Sequence, residues 1–183
     1  MDEDAPPSDP VPATFEQALL PHRDAAYNLA RWLMRETHEA EDCVQDSYLR
    51  AYRSFGTFRG GDGKAWLLTI VRNVCYSRLR SKQRGVVNTA FDETLHAHAI
   101  DEPDAGVWRS GDLRALVPQA LEMLPDEYRE ILALHAVEGL SYKELSAVIG
   151  VPMGTVMSRL SRARGRLQTE LQRLSRKEAR RDV

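Results

Sequence analysis

The chain has 183 residues, 43% of them apolar and 28% charged, at a formal net charge of −2. That balance suits a water-soluble, mostly helical protein of one ordinary domain or two small ones, and it removes overall basicity as an argument for nucleic acid. The two cysteines, Cys43 and Cys75, form no CxxC pair and have no histidines at ligand spacing, so neither a disulfide framework nor a metal or cofactor site is expected.

No apolar run approaches the roughly 20 residues of a membrane helix, and no charged-then-apolar leader opens the chain. A cytoplasmic protein without membrane insertion is expected. Charge is unevenly spread. Residues 59–84 hold seven basic side chains against one acid, and residues 151–183 hold nine against three. Between them, residues 86–130 carry ten acids against three basic residues, and the first fifty residues carry eleven against four. Two basic blocks separated by acidic ones suit two nucleic-acid contacts with other business between them.

Residues 1–13 combine four acids with four prolines and offer little to bury, which predicts a disordered tail. From Thr14 to about Arg35, Phe15, Leu19, Tyr27, Leu29, Ala30, Leu33 and Met34 recur at helical spacing, interrupted by Pro21. A break at Thr37–Ala40, with Thr37 as cap, precedes a helix over 38–55. Its inward side reads Val44, Tyr48, Ala51, Tyr52 and Phe55, with Cys43 packed at the edge of that seam. Its outer side carries Asp42, Gln45, Asp46, Leu49 and Arg53, with Arg50 beside them. An acidic, amide-bearing face with one leucine at its centre suits partner docking; equally, Leu49 fits an ordinary exposed leucine.

Residues 56–63 form a glycine-rich loop without the Gly-Lys-Ser/Thr ending of a phosphate loop. The next helix, 64–84, separates cleanly. Leu67, Leu68, Ile70, Val71, Val74, Cys75 and Leu79 share one arc; Thr69, Arg72, Asn73, Tyr76, Ser77 and Arg80 share the other. Arginine, amide and aromatic side chains on one face can grip a phosphate backbone and stack on an unstacked base. Residues 85–111 lose periodicity and read as an acidic linker with one loosely helical piece over 91–99; His96 and His98 are too few for a metal. A helix from Asp112 to Met123 should start late or kink at Pro118. Another, over 126–137, faces inward with Tyr128, Ile131, Leu132 and Leu134, and His135 lies at its boundary.

The last stretch, residues 141–174, reads as two helices joined by a tight turn. Ser141 and Glu144 form a capping box, Gly150 ends the first helix, and Pro152 opens the second. Val156, Leu160, Ala163, Leu167, Leu171 and Leu174 form one apolar seam; Ser158, Ser161, Arg162, Gly165, Arg166 and Thr169 face away. The pattern fits a solvated basic helix, but the short capped helix before it favours a helix-turn-helix whose second member enters a DNA major groove. Residues 175–183 read as a charged, fraying tail. The expected fold class is all-α: two small helical domains, 14–84 and 112–174, joined by a flexible acidic linker over 85–111.

Three segments, AEDCVQDSYLRAYRSF, WLLTIVRNVCYSRLRSKQR and LPDEYREILALHAVEGLSYKELSAVIGVPMGTVMSRLSRARGRL, together resemble a bacterial RNA polymerase sigma factor. The likeness is to the small extracytoplasmic-function group of the sigma-70 family. It implies a non-enzymatic initiation factor with no small-molecule substrate, whose partners are core polymerase (the β′ clamp and β flap), promoter DNA and an anti-sigma factor. Asp42, Gln45, Asp46, Leu49 and Arg50 would then dock the β′ coiled coil. Arg72, Asn73, Tyr76 and Arg80, with Arg59 and Lys64 of the glycine loop, would handle the minus-ten strand, Asn73 pocketing a flipped base.

In the helix-turn-helix, the resemblance puts Ser158, Ser161 and Arg162 at base edges of the minus-thirty-five element and Met157 at their border. Thr155, Arg159, Arg164 and Arg166 would hold phosphates. A stand-alone dimeric helix-turn-helix regulator acting without polymerase is the competing reading; the polar arc on helix 64–84 speaks against it. Within this frame Ser146 adds a hydroxyl to satisfy near the turn, and Gly165 weakens its helix by roughly 1 kcal/mol against alanine.

Overall fold

The structure, a computed structural model, describes residues 14–84 and 111–179. Expectations for residues 1–13, for the piece 91–99 with His96 and His98, and for the final residues 180–183 fall outside them. Every regular element among the described residues is helical, and the chain divides into two compact units at Arg80–Ser81.

In the first unit Thr14 caps α1 (Phe15–Leu19), its hydroxyl accepting from the Gln17 amide at 3.3 Å. Pro21 falls in a single 3-10 turn, Leu20–His22, where its missing N–H costs little, and α2 (Arg23–Met34) follows directly. α2 ends on Arg35, whose φ of 65° turns the chain. The expected break at Thr37–Ala40 is instead the first turn of α3 (Thr37–Ser54), and the cap position belongs to Glu36, without a side-chain bond. The cause is Ala40, which is fully buried and starts the contact stripe one turn earlier than Val44 suggests.

That stripe runs Ala40, Cys43, Ser47, Ala51, with Cys43 at its centre rather than its edge. Small residues let α2 and α3 pack closely. Val44, Tyr48 and Phe55 are therefore half-buried flanks, and Tyr52 is 67% exposed, leaning on Phe15 with ring centroids 5.4 Å apart. The Ser47 hydroxyl is satisfied by the Cys43 carbonyl.

α4 (Gly63–Arg84) buries Leu67, Leu68, Val71, Val74 and Cys75, the arc its periodicity predicts, with Ile70 and Leu79 half-buried. Its first residue has no room for a side chain: a Cβ on Gly63 would lie 2.5 Å from the Ala18 carbonyl oxygen. Backbone cannot swing aside as a side chain can. Gly63→Ala is therefore expected to destabilise this unit by about 1–3 kcal/mol, read as a lower midpoint of its transition in urea; an unchanged midpoint would show that α1 shifts without strain.

The second unit holds α5 (Gly111–Glu122), α6 (Asp126–Leu132), α7 (Tyr142–Ile149) and α8 (Met153–Ala179), with α8 packed on the other three. α5 runs unbroken across Pro118, which is exposed, so the carbonyl left without its helical donor can be met by water. α6 continues into one π turn, Ala133–Val137, closed by the Glu138 amide on the Ala133 carbonyl at 3.1 Å. The inward side of α6 differs from expectation. Ile131, Leu132 and Leu134 are buried, but Tyr128 is only half-buried, and Arg129 and Glu130 take the interior.

The helix-turn-helix is built as its sequence predicts. Glu144 N donates to Ser141 Oγ at 3.3 Å while Ser141 N donates to Glu144 Oε2 at 2.6 Å, and Gly150 turns the chain at φ 77°. The Ser146 hydroxyl finds its partner in the Val151 carbonyl at 2.6 Å, stapling the turn. Val156, Leu160, Ala163, Leu167, Leu171 and Leu174 are all buried. Each contributes roughly 1–3 kcal/mol, the alanine least. Two details depart from the prediction. Gly165 is buried rather than outward-facing, and α8 continues past Leu174 to Ala179, where Arg176 and Lys177 complement the negative end of its dipole.

Candidate nucleic-acid interface

Three faces carry the chemistry, and each rests on one helix. On α3, Asp42, Gln45, Asp46, Leu49 and Arg50 are all exposed, because the stripe from Ala40 to Ala51 holds the opposite side. Leu49 is 56% exposed at the middle of this acidic surface. Gln45 also borders a groove of about 760 Å³ between α2 and α3, lined among others by Leu20, Tyr27, Val44 and Tyr48.

Sequence reading missed the residue that controls the charge of this face. Arg78 of α4 reaches across to α3, its Nη1 at 3.3 Å from Asp42 Oδ2 and its Nη2 at 4.0 Å from Asp46 Oδ2. The same Nη1 lies 3.8 Å from Cys43 Sγ and 3.4 Å from the Glu39 carbonyl. Two carboxylates of this face are thus partly neutralised by their own chain. The available signal was position: Arg78 stands three residues after the core residue Cys75, so it emerges toward α3 rather than into the basic arc.

On α4, Asn73, Ser77 and Arg80 are exposed and Arg72 and Tyr76 half-buried. The Arg72 guanidinium stacks 4.7 Å over the Tyr76 ring, a pair that holds both side chains in place beside Asn73. Thr69 is turned back onto its helix, donating to the Ala65 carbonyl at 2.8 Å. The loop before α4 is shaped by Gly60 and Gly61, at φ 84° and 88°, and anchored by Phe58 against Phe55 and Trp66 at 5.7 and 5.2 Å. Asp62 Oδ1 accepts from the Ala65 amide and starts the helix. Arg59 is exposed and Lys64 half-buried at this end. Lys64 and Arg80 lie sixteen residues apart on one helix, about 24 Å, so the basic side chains follow a line rather than surround a point.

On α8, Met157, Ser158, Ser161, Arg162 and Arg166 project outward, while Thr155 and Arg164 are half-buried. Arg162 Nε donates to the Ser158 carbonyl at 3.2 Å, which leaves the rest of its fork pointing away from the helix. Arg166 lies 3.8 Å from Glu170. Arg159 is different: only 17% of its side chain is exposed, and it pairs with Glu127 of α6 at 3.4 Å. Met153, one turn before Met157, is exposed as well and was not singled out by its sequence. The two methionines make an apolar patch at the start of α8.

Among the described residues no group of three or more His, Cys, Asp or Glu could hold a metal, and no helix is long and apolar enough to cross a membrane. Residues 19–85 match the family description "Sigma-70 region 2", and residues 114–167 match "Sigma-70, region 4". The chain is 32% identical over 171 residues to the RNA polymerase sigma-H factor of Pseudomonas aeruginosa, covering 88% of each protein. It is 33% identical over 167 residues to the ECF RNA polymerase sigma factor SigE of Mycolicibacterium smegmatis, covering 87% of this chain but 65% of that longer relative.

Among solved structures, the sigma factor RpoE of Bartonella quintana, crystallised with the anti-sigma factor NepR, is 34% identical with a TM-score of 0.65. The match covers 86% of this chain and 96% of that one. A first unit that is itself sigma region 2 sets aside a stand-alone helix-turn-helix regulator. With both regions present in order, each on the helices that carry the exposed faces, the chain belongs to the extracytoplasmic-function group of sigma-70 factors, which direct RNA polymerase to promoters.

Proposed function

We propose that this chain divides promoter recognition among its three faces: α3 docks core polymerase, α4 captures the opened minus-ten strand, and α8 reads the minus-thirty-five duplex. The observation that carries the reading is the separation of chemistry on α4. A preorganised Arg72–Tyr76 stack beside an exposed Asn73 offers a π surface, a charge and an amide to one unstacked base. Taking a base out of the stack costs a few kcal/mol, and a face fixed before the strand arrives recovers more of that than a mobile one. Docking falls to Asp42, Gln45, Asp46, Leu49 and Arg50; minus-ten contact to Arg72, Asn73, Tyr76 and Arg80 with Arg59 and Lys64.

On α8, Ser158, Ser161 and Arg162 face base edges, and the Met153–Met157 patch suits thymine methyl groups. Arg164, Arg166 and Thr155 serve phosphates. Arg159 belongs with them by position, but its pairing with Glu127 makes its first task holding α8 on α6. These faces also offer targets to an anti-sigma partner, the kind of protein with which the Bartonella quintana relative was crystallised.

Transcription with purified core over a promoter library, with and without the chain, tests the whole. Transcripts from a defined promoter class only when the chain is present are expected; none above core alone would overturn the reading. Within that assay Arg162→Ala should cost about 1–3 kcal/mol and relax preference at one minus-thirty-five position. Equal weakening on every sequence would make Arg162 a phosphate contact instead.

A further inference from the structure

Two thiols under the docking face have no part in the roles above. Cys43 of α3 and Cys75 of α4 are both fully buried and unbridged, and the Cys75 thiol hydrogen-bonds the Cys43 sulfur between the two helices. Arg78 Nη1 stands 3.8 Å from the same sulfur while pairing with Asp42, and its Nη2 reaches Asp46. The hydrogen bond from Cys75 is the main reason the Cys43 thiol falls from 9.0 to about 7; burial opposes it and Arg78 assists. The second thiol and the guanidinium together favour the Cys43 thiolate, the form that attacks oxidants.

We propose that Cys43 and Cys75 are a peroxide-reactive pair that closes to a disulfide between α3 and α4, and that closure weakens the docking face above them. The Cys43 thiolate attacks one oxygen of a hydroperoxide: an S–O bond forms, the O–O bond breaks, and the other oxygen leaves with a proton as water or alcohol. The Cys75 thiol then attacks the Cys43 sulfur of the resulting sulfenic acid. The S–S bond forms, the S–O bond breaks, and the hydroxyl leaves as water with the Cys75 proton. Two thiols lose two electrons in all and the peroxide gains two.

Burial means that the oxidant reaches the pair only when the helices part, so reaction is slower than at a surface thiol. The effect on docking follows from Arg78. With the thiolate gone, the guanidinium belongs entirely to Asp42 and Asp46 and masks them further; this half rests on the docking assignment made above.

The test uses the reduced full chain, treated with hydrogen peroxide, unfolded, alkylated and mapped by peptide mass. The expected product is a crosslinked peptide joining residues 43 and 75. Cys75→Ala should leave a sulfenic acid on Cys43 that dimedone captures, Cys43→Ala should leave Cys75 unreacted, and Arg78→Gln should slow crosslinking several-fold. Both thiols alkylated in full, bridges between chains, or over-oxidation of Cys43 without a crosslink would overturn the pair; the wild-type map alone decides this if a variant fails to fold.

Core binding is then compared for oxidised and reduced chains. Several-fold weaker binding, reversed by dithiothreitol, is expected. Equal binding of the two forms, with Asp46→Arg still defective, would overturn the coupling and leave the docking face standing. Normal binding by Asp46→Arg would overturn the docking face itself.

Discussion

Arg129→Ala is expected to unfold or nearly unfold the second unit while leaving the first intact. The guanidinium is 1% exposed, and it holds together the turn between α5 and α6. Its Nε donates to the Leu121 carbonyl at 3.2 Å, and its Nη2 donates to the Leu124 carbonyl and to Asp126 Oδ1, each at 2.8 Å. Leu121 lies in the last turn of α5, where its carbonyl also accepts from the Leu124 amide at 3.1 Å, and Leu124 stands just past that helix, in the turn itself. Truncation removes the guanidinium's three bonds at once and leaves a cavity at the buried side of the turn. Removing a large buried side chain together with its hydrogen bonds costs about 3–5 kcal/mol, against a typical total stability of about 5–15 kcal/mol.

Circular-dichroism melts of the full chain check this. The transition of the helix-turn-helix unit should fall sharply, duplex binding should fall with it, and the first unit's transition should stay. Arg129→Lys should recover little, because an ammonium lacks the fork that meets several acceptors at once. A loss below about 1 kcal/mol would show that water replaces the guanidinium at little cost.

Arg129 also marks where the sequence stopped being informative. Periodicity placed the α8 seam and the α4 core arc correctly, because their buried residues are apolar and their exposed ones are polar, the case for which such counting works. The caps at Ser141 and Gly150 were legible because each rests on a local backbone requirement. Arg129 and Glu130 run against such counting: charged residues read as outward, yet both are buried, and for Arg129 it is the acceptors of the α5–α6 turn that make the interior tolerable. α3 fails for a related reason. Its buried stripe is made of Ala40, Cys43, Ser47 and Ala51, small residues whose weak hydrophobic signal loses to Val44, Tyr48 and Tyr52 beside them. The outer face of α3 was nonetheless visible, since Asp42, Gln45, Asp46 and Leu49 sit opposite either version of the seam. What no single-helix pattern can show is a side chain arriving from elsewhere. Arg78 on the α3 carboxylates and Glu127 on Arg159 are both of this kind.

That arrival shapes the second large effect. Asp46→Arg is expected to weaken core polymerase binding by about 2 kcal/mol or more, roughly thirtyfold in Kd, with duplex binding by α8 retained because that face lies in the other unit. Two causes act together. The substitution removes one of the few acids on the face proposed to dock the polymerase, and it sets a second guanidinium near Arg78, now about 4 Å from Asp46. At a surface dielectric, like charges at that distance repel by up to about 4 kcal/mol, so the new side chain must swing outward into the space a partner would fill.

Arg78→Gln separates the causes. It frees Asp42 and Asp46 without reversing any charge, so it should tighten core binding modestly, and more so at low salt, where exposed carboxylates are screened least. If both substitutions weaken binding alike, the carboxylates matter only by fixing α3 on α4. If they act in opposite directions, the acidic face itself makes the contact, and Arg78 sets how much of its charge the polymerase meets.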